Sequence, residues 1–444
     1  MNQGKFPYRI NRESWEAVFK DHGWPESIPQ SKGEEWARRR KAMAETVLTS
    51  KDAKQFIPVV VPIADNFTDC LAGHLTPDGG LVGCTIRQIV AMFALEAVMK
   101  VVCGVDFPAC TVPIDKKALS FHQAVEKMFA ASTDCDNLPW NVKFNLKPYQ
   151  ELKAAWEEMY SYPRDKLAPM FEYYEKHGKL PEGTKGTLLP KLFAQHEAGE
   201  LSLEEMVGIG AQAISAAVDT TGQTTEYLLY NLARHPTVQD RLSADIINTF
   251  GSEGPLEVSQ QQYESQQYLF AVLKESMRLT PTIGAHVRTL VQDAQLGKYK
   301  VPKDEVVMIN YLEMTKNPDI FPEPDLFLPE RFLKQKGKEA NDSGMSDNYS
   351  KMSGGCPMMA QRRAEAVDSG KAVCNDPFAA IPFGHGGRRC LGKGFAEMDI
   401  HLAIISLLRK FKIHYDGPDL QVQERSLLRP KQPLDPHFRF EVRM

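Results

Sequence analysis

Phe383-Gly384-His385-Gly386-Gly387-Arg388-Arg389-Cys390-Leu391-Gly392-Lys393-Gly394 runs directly into the apolar stretch FAEMDIHLAIISLLRKF, residues 395–411. The glycines let backbone approach something large and flat, and Cys390 stands where loop becomes helix. A helix N-terminus presents unpaired N–H groups and the positive end of a dipole. Arg388 and Arg389 add charge, so a thiolate is favoured at this point. One thiolate with no Cys or His beside it at zinc-ligand spacing points to a haem axial ligand rather than a zinc centre. The alternative is a small buried hydrophobe, the usual condition of a free cysteine.

A nucleotide reading competes, because Gly387 to Lys393 spells G-x-x-x-x-G-K before a helix. The next residue should be Ser or Thr to hold magnesium, and it is Gly394. The preceding FAAIPF is short and interrupted by Pro382, a poor strand to launch a phosphate loop.

Working outward, 43% hydrophobic and 25% charged residues in 444 exclude a disordered or fibrous chain. Lys+Arg 53 against Asp+Glu 57 leaves a net charge of −4, too balanced for a general nucleic-acid binder. Eight scattered cysteines do not make the framework of a small secreted domain, so a reducing compartment is expected. The most apolar segment, Ile86 to Val102, is interrupted by Arg87, Glu96 and Lys100 and reads as a buried helix rather than a membrane span. No targeting segment is visible at the start.

Apolar residues three and four apart predict helices over 33–48, 86–102, 149–162, 202–233, 261–279 and 394–411. Strand signals are few and late, at 305–310 and 438–442, so the expected class is mainly α with a small β-sheet region. From Lys334 to Asp376 the chain loses periodicity and reads as a solvated insertion. Around Asp219, Thr220, Thr221 and Gly222, poor helix formers predict a local distortion with a hydroxyl or water in the ladder. The alternative is a break in which Asp219 or Thr221 caps a second helix. Glu275 and Arg278 share one face of a helix with little polar surface, so their burial is expected.

The loop resembles the haem-binding loop of the cytochrome P450 family, F-x-x-G-x-R-x-C-x-G, met here by Phe383, Gly386, Arg388, Cys390 and Gly392. Further motifs agree. Ala216 to Thr221 resembles the family's oxygen-binding segment, which implies that Asp219 and Thr220 are the acid and alcohol that relay protons. Glu275, Arg278 and Arg331 match the family's buried triad, implying a structural lock. Trp36 and Arg40 match W-x-x-x-R, and with Arg288 they are implied partners of the haem propionates. The resemblance implies a P450 fold around a buried haem b, with Cys390 as the iron's axial ligand. It covers the whole chain as a single domain, 1–444, with the family's N-terminal segment missing. That would leave Glu305–Asn310 as an unpaired edge.

GEEW at 33–36, FALEA at 93–97, AVDTT at 217–221 and Arg288 followed by Asp293, Leu296, Gly297 and Tyr299 resemble the animal mitochondrial branch. That branch implies hydroxylation of a lipophilic, sterol- or steroid-like substrate by O2. Electrons would come from an adrenodoxin-like ferredoxin, preferred over a flavoprotein reductase. Lys274 matches one docking position and Phe270 departs from another, while Arg362, Arg363, Arg388 and Arg389 could add to a positive proximal face. The expected location is the matrix side of the mitochondrial inner membrane, with the endoplasmic reticulum second. Membrane association would run through the missing N-terminus and apolar surface. Rival readings are a haem-thiolate isomerase or dehydratase, a microsomal-type enzyme acting on fatty acids or xenobiotics, and a non-catalytic haem binder or sensor.

Overall fold

Ser202 and Glu205 form a capping box that starts a helix running without interruption from Leu203 to Arg234, and Thr85 with Gln88 does the same for Ile86–Cys103. Both are buried on nearly every face, as their apolar sequences require. The computed structural model describes residue 8 and residues 12–47, 53–333, 378–424 and 426–443. The insertion expected at 334–376, with Arg362 and Arg363, lies outside them.

The principal helices are α1 (Glu13–Asp21), α2 (Gly33–Val47), α3 (Ile57–Gly73), α4 (Ile86–Cys103), α5 (Lys116–Asn137), α6 (Lys147–His177), α7 (Leu189–Glu197), α8 (Leu203–Arg234), α9 (Pro236–Phe250), α10 (Gln267–Leu279) and α11 (Lys393–Lys410). The residues cluster into two units. One holds 1–10 and 266–389, and the other holds 11–265 and 390–444.

The larger unit is built on α8, which packs against α4, α5 and α6. A close backbone approach occurs at Gly222, where an added Cβ would lie 3.3 Å from the Ala91 Cα and 3.4 Å from its nitrogen. Beside these, α3 packs on α4 and α11. Lys54–Gly73 is the one described stretch long and apolar enough to cross a bilayer, but Val60, Ala64, Phe67 and Leu71 make it a core helix. Strands β5 (Phe411–Tyr415) and β8 (Phe438–Val442) pair antiparallel, as do β6 (Val422–Glu424) and β7 (Leu428–Pro430).

In the smaller unit, β1 (Ala285–Thr289) pairs antiparallel with β4 (Val306–Asn310), from Ala285 opposite Asn310 to Thr289 opposite Val306. The expected unpaired edge at 305–310 is therefore corrected: β1 supplies its partner. The hairpin of β2 (Ala294–Leu296) and β3 (Tyr299–Val301) turns at Gly297, whose φ of +59° suits glycine.

Other expectations need correction. No break occurs near Asp219, and neither Asp219 nor Thr221 caps a second helix. The hydroxyls of Thr220, Thr224 and Thr225 donate to the carbonyls of Ala216, Thr220 and Thr221 at 2.6, 2.7 and 2.8 Å, so they join the helical ladder and leave it intact. The helix expected over 149–162 extends through Pro163 and Pro169 to His177, because Pro163, Leu167 and Phe171 are buried and packing outweighs two missing N–H donors. The helix expected over 261–279 is divided at Gln266, whose ψ of 53° leaves the helical region.

The tight α4–α8 crossing makes a prediction. Gly222→Val should lower unfolding stability by about 1–3 kcal/mol, since backbone atoms of Ala91 cannot rotate away. Urea unfolding followed by circular dichroism measures it, and an unchanged midpoint would contradict the close approach.

Candidate active site

The loop from Phe383 turns at Gly384 and Gly386, with φ of +72° and +76°, values a side chain would strain. Inside the smaller unit, Gly384 lies close enough to β1 that an added Cβ would be 3.7 Å from Arg288 Nη2 and from the His286 ring. The Ile381 carbonyl is 2.8 Å from His286 Nε2. Arg288 and Arg388 are both buried and Phe383 is half-buried. Residues 378–382 form no strand, which removes the remaining support for a phosphate loop.

Cys390, the first residue of the larger unit's second segment, is exposed and in no disulfide. It stands two residues before Gly392, the N-cap of α11. The loop thus delivers a thiol to the positive end of a long buried helix, the setting in which a sulfur anion is stabilised.

In the same unit α8 has two distinct sides. Between Met206 and Ala233, the residues not buried are Gln212, Ala213, Ala216, Ala217, Thr220 and Thr224. Their spacing draws one narrow stripe of mainly small side chains on a helix otherwise enclosed. A flat, bulky group needs such a cradle, and a lone exposed thiol at a helix start is the donor for thiolate-ligated haem. Both features fit that cofactor.

Asp219 and Thr220 are adjacent in sequence but face differently. Thr220 lies on the open stripe, whereas Asp219 is 2% exposed and forms an ion pair with Arg429 of β7. Around Asp219 lies a charged cluster that the motifs did not reveal. Arg87 of α4 is 3.2 Å from Glu226 and 3.8 Å from Glu126, and donates to Gln223 at 3.1 Å. His122 and Glu126 reach the cluster from α5. Burial pushes the Glu226 carboxyl up and the His122 imidazole down from their ordinary values. Tyr227 donates to the Leu428 carbonyl at 2.5 Å, holding the β6–β7 hairpin against α8. His122 and Glu126 stand four apart on one face of α5, a spacing present in the sequence within a segment where periodicity predicts no helix.

On α2, Trp36 is buried and the Arg40 guanidinium lies 5.7 Å from its ring centre. Glu35 engages Arg38 at 2.7 Å and Arg39 at 2.6 Å, and Arg38 also meets Glu205 at 2.5 Å. The hydrogen bond from Arg38 holds the Glu35 carboxyl down to about 2. The local carboxylates therefore occupy the two arginines before Arg40, and Arg40 follows Trp36 by one turn.

Within the smaller unit the structure brings Glu275, Arg278 and Arg331 together. Arg278 donates Nε and Nη2 to the two Glu275 oxygens, both at 2.8 Å. Its remaining donors reach the carbonyls of Thr315, Pro324 and Leu326. Glu275 Oε1 also accepts from the Leu328 N–H at 2.9 Å and from Arg331 Nε at 3.3 Å, and Arg331 reaches the Glu323 carbonyl at 2.8 Å. Burial lowers the Arg331 pKa from its ordinary value. One carboxylate thus ties α10 to the chain segment from Thr315 to Arg331.

A family model described as Cytochrome P450 matches residues 1–438. Cytochrome P450 27C1 of Danio rerio is 24% identical over 428 residues, 95% of this chain and 71% of that protein. The mitochondrial sterol 26-hydroxylase of Mus musculus is 23% identical over 453 aligned residues, 98% of this chain and 76% of that protein. The mitochondrial 25-hydroxyvitamin D-1 alpha hydroxylase of Mus musculus is 24% identical over 444 residues, covering 97% and 79%.

The Glu275 network predicts a large penalty for removing its only carboxylate. Glu275→Gln leaves two buried guanidinium groups without their anion and should cost on the order of 3–5 kcal/mol. The loss is measurable as a lower urea midpoint, and a variant as stable as the parent would show the network to be dispensable.

Proposed function

Since the chain belongs to the cytochrome P450 family and is a monooxygenase that binds haem b through a cysteine thiolate, we propose that it hydroxylates a sterol-like lipophilic molecule with electrons from a small acidic ferredoxin. The enzyme consumes O2 and requires an electron donor. The observation that carries the site assignment is Cys390, an exposed thiol at the start of α11 in the same unit as the open stripe of α8.

When bound, thiolate-ligated haem supplies the electron density that cleaves the O–O bond. The chain's residues do the rest. Cys390 holds the sulfur at the helix N-terminus, and Phe383 opens the loop that leads to it. Trp36 and Arg40 in the larger unit would supply N–H donors and positive charge suited to a cofactor carboxylate, and Arg288 and Arg388 in the smaller unit would each do the same. Asp219 carries a proton from the enclosed side of α8 and Thr220 presents it on the open stripe, an acid and an alcohol in succession. Arg429 pairs with Asp219 and fixes the orientation of its carboxyl group. Glu275, Arg278 and Arg331 have no chemical part and fix the backbone of their unit.

The relatives' names support the sterol and secosteroid classes and a mitochondrial location. Lys274 is exposed on α10 and available to an acidic partner, while Phe270 replaces a second cation, so docking would use fewer charges on this helix. Leu138, Trp140, Phe144 and Leu146, all at least 45% exposed between α5 and α6, support attachment to a membrane surface.

A spectral titration of the haem-loaded chain tests the substrate class. Sterols and secosteroids should shift the iron spin state at lower concentration than fatty acids, and turnover should proceed with ferredoxin and its reductase. Tighter binding of fatty acids, or turnover supported solely by a flavoprotein reductase, would contradict the reading.

A further inference from the structure

His122, Glu126 and Asp219 bring a ring nitrogen and two carboxylate oxygens within 4.8 Å of one another. His122 is 2% exposed, and neither of its ring nitrogens has a hydrogen-bond partner. Buried polar atoms are nearly always paired, so an imidazole placed against two carboxylates without bonding either one calls for a ligand between them. We propose that these three side chains form a binding site for a divalent cation of the zinc class.

The donor set selects the ion. One imidazole nitrogen with two carboxylate oxygens suits Zn2+, whereas calcium and magnesium favour all-oxygen shells. His122 and Glu126 stand one turn apart on α5, and Asp219 comes from α8, which packs against α5. Metal–ligand bonds near 2.1 Å in a tetrahedral shell place ligands roughly 3.4 Å apart, so small side-chain rotations close the site. Glu126 is half-exposed and gives an ion its route from solvent.

The surrounding charges permit a cation but make it compete. Glu126, Asp219 and Glu226 face Arg87 and Arg429, and Asp435 is held toward its neutral form by burial. Arg87 can remain with Glu226 and Gln223. Arg429 is the direct rival, because its guanidinium occupies Asp219, and one of its nitrogens, Nη1, is buried without a partner. Removing that guanidinium should therefore strengthen metal binding, an effect opposite to that of removing a ligand. Any influence on turnover rests on the role proposed for Asp219, since a bound ion would withhold it from proton transfer; binding itself does not depend on that role.

The test is titration of the haem-loaded full-length chain with Zn2+ alone, by calorimetry and chelator competition, together with zinc-edge X-ray absorption. One ion should bind per chain with a nitrogen and oxygen shell. His122→Ala and Glu126→Gln should each weaken binding by at least about tenfold, while Arg429→Gln tightens it. Haem content and thermal melting check that each variant folds, and the half-exposed Glu126→Gln carries the test if His122→Ala does not fold. No binding by the parent at about 100 times the protein concentration, equal affinity in the ligand variants, or a sulfur-containing shell would overturn the proposal. Binding in the expected pattern without slower turnover would overturn the role of Asp219 and leave the site standing.

Discussion

A sulfur anion that must stay accessible while its surroundings stay rigid is the constraint on which this protein depends. Cys390 meets it by position. It lies just outside α11, whose first turn supplies positive potential, and α11 is itself so enclosed that Met398 through Arg409 are all buried. The thiol therefore ends a loop anchored to a helix that has little freedom to move. Gly384 and Gly386 complete the arrangement from the preceding segment, where positive φ values turn the chain.

The long helix α8 answers a second demand, that of being both core and wall. Its apolar side brings α8 close to α4, at Gly222 against the backbone of Ala91. Its other side keeps a stripe of alanines and threonines open. The acid beside that stripe is turned inward and paired with Arg429, so charge is stored within the fold while the neighbouring hydroxyl stays at the open face. An ionised carboxylate buried without such a partner would be strongly disfavoured.

Much of this was readable from residues alone because it is local. The helix start at Cys390, the enclosure of Ile86–Cys103 and the joint burial of Glu275 and Arg278 follow from patterns within a few turns. Other features escaped for identifiable reasons. Pro163 and Pro169 interrupt the pattern of α6, whose continuity comes from buried neighbours. The pairing of Asp219 with Arg429 joins residues 210 positions apart, beyond any local pattern. The partner strand of β4 was also missed, since antiparallel pairing depends on how the intervening hairpin folds.

The most direct measurement of the central claim is the absorption spectrum of the reduced, haem-loaded full-length chain under carbon monoxide, compared with Cys390→Ala. Thiolate ligation predicts the strongly red-shifted Soret band in the parent and its loss in the variant. A parent band at the position given by imidazole or water ligation, or the same red-shifted band in both proteins, would contradict the assignment of Cys390.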